Sequence, residues 1–258
     1  MGGLFHNLRH PRRCYVVCAI PRSGSNLLTD GLHATRRAGR PKQFFLPKYE
    51  AGYTAAHRLD ASRFSDYVRG IVALSATSNE MFGFKLMSFY LKDFLARLRA
   101  TGEFSTLTSS ELELLRAAFP RLQFIRIIRR DKLRQAISKA RATQTGLWKV
   151  VDGGTAASTP QFDAELIRQC IRDGERDEAI WARFFETIGV SPFIVEYESL
   201  CHAYEETLAG VLEFLGIRWP RNASIQKPIT MRQSDPISDE WERRCHQLAM
   251  QLNEPLTY

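Results

Sequence analysis

The stretch Ala19-Ile20-Pro21-Arg22-Ser23-Gly24-Ser25-Asn26-Leu27-Leu28 sets small residues, two hydroxyls and one cation directly after the apolar run 14–20. A strand that ends in such a turn and then enters a helix points backbone N–H groups and a guanidinium at one anionic group. The chemistry on offer is the holding of a phosphate or sulfate. The run approaches the P-loop pattern G-x-x-x-x-G-K-[ST], but Ala19 stands at the first Gly, Ser25 at the Lys and Asn26 at the Ser/Thr. Without that Lys and the Mg²⁺-binding hydroxyl the loop can wrap a phosphate but is poorly equipped to transfer the γ-phosphoryl group of ATP, which counts against a kinase. The plainer alternative is a helix N-terminus capped by Ser23 or Ser25.

A second group follows a later β-branched run: Ile127-Ile128-Arg129-Arg130-Asp131-Lys132-Leu133-Arg134-Gln135-Ala136-Ile137-Ser138. A strand ending in Arg, with a helix returning a hydroxyl about two turns on, can hold a second phosphate by ion pair and hydrogen bond. Two such sites at two strand ends suggest a bisphosphorylated nucleotide. The alternative is a solvated basic helix face.

The elements that must position these residues are legible as alternation. Apolar, β-branched runs recur at 14–20, 81–86, 122–128 and 192–197 with longer helical patterns between them, which reads as βαβ units on a mainly parallel central sheet flanked by helices. The segment 60–76 places Phe64, Tyr67, Val68, Ile71 and Leu74 on one stripe, and 203–215 does so with Leu208, Val211, Leu212 and Leu215. Residues 161–188 read as one helix or a helical pair broken near Gly174, and Ser110 with Glu113 has capping-box spacing for a helix at 111–118. The stretches 39–58 and 149–160 read as irregular loops, and loops beyond strand ends commonly carry function.

The chain has 258 residues and 44% apolar content, enough for one sizeable core. It reads as one domain over 14–258 behind a basic tail at 1–13. With 36 Lys and Arg against 28 Asp and Glu the net charge is +8, which suggests anionic ligands. The basic residues are scattered and no C₂H₂, RRM or homeodomain signature is present, so nucleic acid is not the expected partner. Five cysteines without a C-x-x-C pair fit neither a disulfide framework nor a zinc site, and read as small buried hydrophobes in a reducing compartment. With no long apolar segment for secretion or membrane insertion, the chain reads as cytoplasmic. A homodimer is left open.

Taken together these residues resemble a known family, the sulfotransferases that use 3′-phosphoadenosine-5′-phosphosulfate (PAPS), and within it the bacterial trehalose 2-sulfotransferase type. The landmarks run in order: Tyr15 to Leu28, Ala38-Gly39-(x)-Pro41-(x)-(x)-Phe44-Phe45, Gly83-(x)-Lys85-Leu86-Met87, Arg129 to Ala142, Gln144-Thr145-(x)-(x)-Trp148, Val195-(x)-Tyr197, and Arg232-Gln233-(x)-Asp235 before Ser238-Asp239-Glu240-Trp241. They span residues 14–245. The resemblance implies a P-loop-like three-layer α/β fold, PAPS as sulfuryl donor, adenosine 3′,5′-bisphosphate as product, and no metal. Arg22, Ser23, Gly24, Ser25 and Asn26 would hold the 5′-phosphosulfate. Arg129 and Ser138 would hold the 3′-phosphate, with Arg130 as the alternative to Arg129. Trp148 would stack near the nucleotide or acceptor, or else be a core aromatic; Arg232 would add a late phosphate contact. Lys85, with Arg22, would stabilise the leaving phosphate.

The family places its general base, a Glu, two residues after the Pro and directly before Phe-Phe; that position here is Gln43. An amide cannot take a proton at neutral pH, so either Gln43 only orients the acceptor or the base lies elsewhere, with Glu50 and His57 as candidates in the same segment. The acidic residue the family uses for its sugar, just before the Pro, is Arg40 here, which argues against trehalose itself. The expected acceptor is a hydroxyl of a carbohydrate, glycolipid or small natural product, and Arg40, Lys42 and Lys48 would attract an anionic one. Two other classes stay in view: a catalytically impaired nucleotide sensor or scaffold, and a P-loop-type kinase.

Overall fold

The structure is a computed structural model that describes residues 11–104, 109–148, 159–220, 225 and 236–252. Four parallel strands form one sheet: β1 (Arg13–Ala19), β2 (Met81–Met87), β3 (Gln123–Ile128) and β4 (Phe193–Glu196), in the order β2-β1-β3-β4. Every residue of β2, and every residue of β1 after Arg13, is buried. Continuous apolar runs are what a sheet covered on both faces requires. The chain moves one way from β1 to β2 and the opposite way from β2 through β4. Right-handed crossovers therefore put α1 (Ser25–Ala34), α2 (Pro47–His57) and α3 (Phe64–Ser75) on one side of the sheet. By the same rule α4 (Ser88–Ala100), α5 (Glu111–Ala118), α6 (Lys132–Thr145) and α7 (Ala164–Ile188) fall on the other, and α7 packs against α4 and α6. After β4 come α8 (Tyr197–His202), α9 (Tyr204–Phe214) and α10 (Pro236–Leu252). This is the α/β architecture the alternation of runs implies. The reversal of direction at β1 opens a crevice at its carboxyl end, where open parallel sheets bind ligands.

Two cores meet there. The main one fills the space around the sheet, with Phe45, Phe84, Phe94 and Phe119 in mutual contact and Trp181, Phe184 and Phe185 of α7 closing over β3. A smaller one joins Leu133, Ala136, Ile137 and Ala140 of α6 to Ile167 and Cys170 of α7 and Trp241 and Cys245 of α10. The long helix α7 belongs to both, and its Trp181 Nε1 donates to the Ala19 carbonyl at 3.0 Å, fixing it to the end of β1. It runs unbroken through Gly174, where a side chain would meet open space.

Other expectations were met in detail or shifted. Ser110 Oγ accepts from Glu113 N while Glu113 accepts from Ser110 N at 2.8 Å, the reciprocal capping box. The stretch 39–58 is only half irregular, because Pro47 starts the helix α2; Pro pre-sets φ at the first helical position. No residue of α2 is buried, so no apolar stripe marked it in the sequence. Arg13 opens β1 and donates to the carbonyls of Leu215 and Gly216, and Arg12 pairs with Glu80 at 2.8 Å. Four cysteines are buried and Cys201 partly so; burial pushes the Cys14 thiol up to about 12, as befits an inert hydrophobe.

Gly83 is held to glycine by packing. A Cβ there would lie 2.3–2.5 Å from the Tyr15 ring, whose hydroxyl donates to the Ala38 carbonyl at 2.6 Å. Gly83→Ala must displace that ring or the 38–42 segment, and is expected to destabilise the protein by roughly 1–3 kcal/mol in urea unfolding, with the slope unchanged.

Candidate functional site

The loop after β1 is built from two left-handed residues: Arg22 at φ 63 and Gly24 at φ 87. Gly24 is required twice over, because its φ favours glycine and a Cβ would lie 2.2 Å from the Tyr197 ring. Arg22 is a non-glycine residue in the same region, a conformation that persists only where surroundings impose it. Three contacts impose it here. Gln135 Nε2 of α6 donates to the Pro21 carbonyl at 2.9 Å, and Arg129 Nη1 reaches the Arg22 carbonyl at 3.5 Å. Ser23 Oγ donates back to the Ile20 carbonyl at 2.9 Å. Gly24 is the N-cap of α1 and no side chain caps that helix, so neither Ser23 nor Ser25 plays the capping part. The first-turn N–H groups face outward with a helix dipole behind them, which is an anion cradle.

Around that cradle the structure brings two sets of cations. On the α6 side Arg22 Nε donates to Ser138 Oγ at 2.8 Å and Arg22 Nη1 to the Trp148 carbonyl at 2.6 Å. Arg129 lies there too, its guanidinium 4.6 Å over the Tyr197 ring. Neither Arg22 nor Arg129 makes an ion pair among the described residues, and Arg129 Nε is buried with no hydrogen-bond partner among them. Burial, then the charges of Arg129 and Arg141, lowers Arg22 to about 10; burial also lowers Arg129. The charges of Asp131 and Glu198 act on Arg129 at the turn after β3, but neither guanidinium has an ion pair among the described residues, and two half-buried cations so placed are arranged for an anion from outside. On the β2 side the buried Lys85 donates to Asn26 Oδ1 and, at 3.5 Å, to Ser25 Oγ.

The remaining sequence candidates separate clearly. Arg130, next to Arg129, turns away: it is exposed, lies 3.5 Å from Glu196 and 3.8 Å from Glu198, and only its backbone N–H joins the site framework by donating to Glu198. Trp148 exposes its ring and gives its carbonyl to Arg22, so it is no core aromatic. Gln43 is half-buried and follows Lys42, whose carbonyl accepts from Lys85 N at 2.9 Å, so it sits beside the end of β2. Glu50 is taken up by Arg97, two bonds of 2.7 Å filling both carboxylate oxygens. His57 is exposed at the far end of α2, ten residues and about 15 Å along the helix from Pro47. Arg232 lies outside the described residues.

Two residues escaped the sequence reading. Tyr197, noted only as a landmark, is the floor under both Gly24 and Arg129. Asp177 lines a cavity of about 290 Å³ with Ile20, Pro21, Gln135, Ala136 and Gly174, and accepts from Ser88 Oγ at 2.8 Å just beyond β2. Burial raises its pKa, with the Ser88 hydrogen bond and the Lys139 charge acting against the shift. No spacing rule could have found it, because it joins the site through the packing of α7 on α4. Among the described residues no group of three or more His, Cys, Asp or Glu is placed to hold a metal, and no helix is long and apolar enough to cross a membrane.

Known proteins match this arrangement in sequence. The trehalose 2-sulfotransferase of Mycolicibacterium smegmatis is 30% identical over 96% of this chain and 99% of its own length. That of Mycobacterium tuberculosis is 30% identical over 94% and 98%. Among solved structures, a sulfotransferase domain from the curacin biosynthetic pathway covers 96% of this chain and 100% of its own at 14% identity, with a TM-score of 0.48. The family model described as Stf0 sulphotransferase matches residues 14–247, from the first strand through the loop at Arg22 and the helix bearing Ser138 into α10, and the chain belongs to that family.

Proposed function

We propose that this protein moves the sulfuryl group of PAPS to a hydroxyl of a carbohydrate or a related small molecule and releases adenosine 3′,5′-bisphosphate. The observation that carries this reading is the approach of Arg22 and Arg129 to each other, half-buried beside Ser138, with no ion pair to either guanidinium among the described residues. Two like charges brought together at reduced exposure, neither in an ion pair, are suited to an anionic ligand. The residues fit a donor with phosphates at two ends. The N–H groups of Gly24, Ser25 and Asn26 would hold the 5′ end above the Ser23 turn, which closes on the Ile20 carbonyl, and Arg129 with Ser138 would hold the 3′-phosphate. Arg22 spans the two, with its backbone in the loop and its guanidinium at Ser138.

When bound, PAPS supplies an activated sulfuryl group that leaves by in-line displacement at sulfur. The chain's part is positioning and charge. Lys85, held against Ser25 and Asn26, offers a fixed cation to the bridging oxygen as charge builds there. Gln43 can orient an acceptor hydroxyl through its amide but cannot accept the proton. Glu50 is engaged by Arg97, whereas Asp177 is a carboxylate at the end of β2 that burial has made more basic, the property a general base needs. The names of the relatives support a carbohydrate acceptor.

Two measurements test the reading. By calorimetric titration, Arg129→Ala is expected to weaken adenosine 3′,5′-bisphosphate binding about 10- to 100-fold, the worth of a charge-assisted hydrogen bond, while Arg130→Ala stays within about twofold. Equal losses would remove the two-phosphate assignment. In assays of bisphosphate release from PAPS with sugar acceptors, Arg22→Ala is expected to lower turnover at least about 100-fold and Asp177→Asn by a similar factor, with unchanged circular dichroism. Full activity in Arg22→Ala would sink the sulfotransferase reading, and tight bisphosphate binding without transfer to any hydroxyl would leave a sensor.

A further inference from the structure

The segment between α1 and α2 is fixed in backbone and strongly cationic in side chains. Gly39, at φ 76, lies so close to β2 that a Cβ would be 2.9 Å from Gly83 N. The Ala38 carbonyl is held by Tyr15, and Lys42 forms a parallel bridge with Phe84. Arg40 and Lys42 therefore stand at set positions along the outer edge of β2, both exposed, immediately before Gln43 and beside the backbone of Lys85. From residue 33 to 58 the chain carries Arg36, Arg37, Arg40, Lys42, Lys48 and Arg58 against one carboxylate, Glu50, which Arg97 already occupies. Arg36, Arg40 and Lys42 make no ion pair among the described residues. Their fields overlap at His33, whose pKa is lowered first by burial and then by Lys42, Arg40 and Arg36, with Asp30 opposing.

The patch also has a defined separation from the reacting end. Lys42 stands opposite Phe84, three residues and about 10 Å along β2 from Met87 at the strand's end, and Arg40 lies two residues further back. An acceptor whose hydroxyl lies at the end of β2 would lay its remaining body along these cations. That length suits two sugar rings better than one. Gln43, between the patch and the loop, carries no charge to repel an anion, as a carboxylate there would.

We infer that the acceptor is an anionic carbohydrate of about disaccharide size, with its phosphate or comparable anionic group docked by Arg40 and Lys42 and its target hydroxyl at the end of β2. The inference rests on the sulfotransferase reading above. In the transfer itself the acceptor oxygen forms the new bond to sulfur, the bond from sulfur to the bridging oxygen breaks with its electron pair going to the bisphosphate product, and the hydroxyl proton goes to the protein base.

The test compares trehalose, trehalose 6-phosphate and glucose 6-phosphate as acceptors with the full chain and saturating PAPS, reading bisphosphate release and the sulfated sugar by mass spectrometry. Trehalose 6-phosphate is expected to show at least tenfold higher kcat/KM than either other sugar, an advantage that shrinks as salt is raised. Arg40→Ala and Lys42→Ala are expected to raise its KM about five- to tenfold each, leaving kcat and bisphosphate affinity unchanged. Equal kcat/KM for trehalose and its phosphate, or losses in the two variants shared by both sugars, would overturn the inference. Transfer to none of the three by a protein that still binds the bisphosphate would overturn it while the donor site stands. Failure to bind the bisphosphate would count against the donor site instead.

Discussion

Two half-buried guanidiniums that repel each other, Arg22 and Arg129, are the feature on which the rest of the site depends. Partial burial and mutual approach disfavour their charged forms, lowering the pKa of Arg22, while Asp131 and Glu198 offset this at Arg129. The fold supplies what is needed to keep them there. Tyr197 lies flat beneath Arg129, α6 grips the loop through Gln135 and Ser138, and Glu198 accepts from the backbone of Arg130 and Asp131 at the turn after β3. The loop conformation is itself costly, since Arg22 stands in a region of φ and ψ that favours glycine. Stability given up at one place and restored by surrounding packing is the signature of a site kept for a ligand.

The parallel sheet explains why these groups converge. β1 and β3 are neighbours, so the loop after one and the arginine after the other meet at their carboxyl ends. β2 lies on the opposite flank of β1 and delivers Lys85 to the same loop from the other side. A buried Lys in an otherwise apolar strand is unfavourable unless its ammonium finds partners, and Asn26 at the start of α1 provides one. Asn26, where a hydroxyl would bind Mg²⁺ in a P-loop enzyme, here holds a protein cation in place. An amine from the neighbouring strand therefore lies against the loop whose own sequence has Ser25 where that pattern has a lysine. Beyond the sheet, α7 ties the two cores together and brings Asp177 to Ser88, just past the end of β2.

The sequence carried the strands, the loop at Arg22, the helix bearing Ser138 and the Ser110 cap, because each rests on local chemistry of a few adjacent residues. It could not choose between Arg129 and Arg130. Both follow the same strand, and only the acids of the 196–198 segment, distant in sequence, draw Arg130 outward. It offered Glu50 as a base, whereas Arg97, forty-seven residues away, holds both of its oxygens. It missed α2, which buries nothing and so shows no periodicity, and it missed Asp177 and Tyr197, whose roles exist only after tertiary packing. Local pattern reveals the anion-facing loop; long-range pairing decides which charges remain available to a ligand.

The most direct test of a site built for two phosphates is the thermal unfolding midpoint of the full chain with adenosine 3′,5′-bisphosphate and, at equal concentration, with adenosine 5′-monophosphate. At a hundredfold excess over its dissociation constant the bisphosphate should stabilise by about 2.7 kcal/mol, a rise of about 5–10 °C for a chain of this size. The monophosphate, lacking the group that Arg129 and Ser138 await, should raise the midpoint far less. Equal shifts from the two nucleotides would contradict the central claim, because the adjacent arginines would then serve something other than the second phosphate.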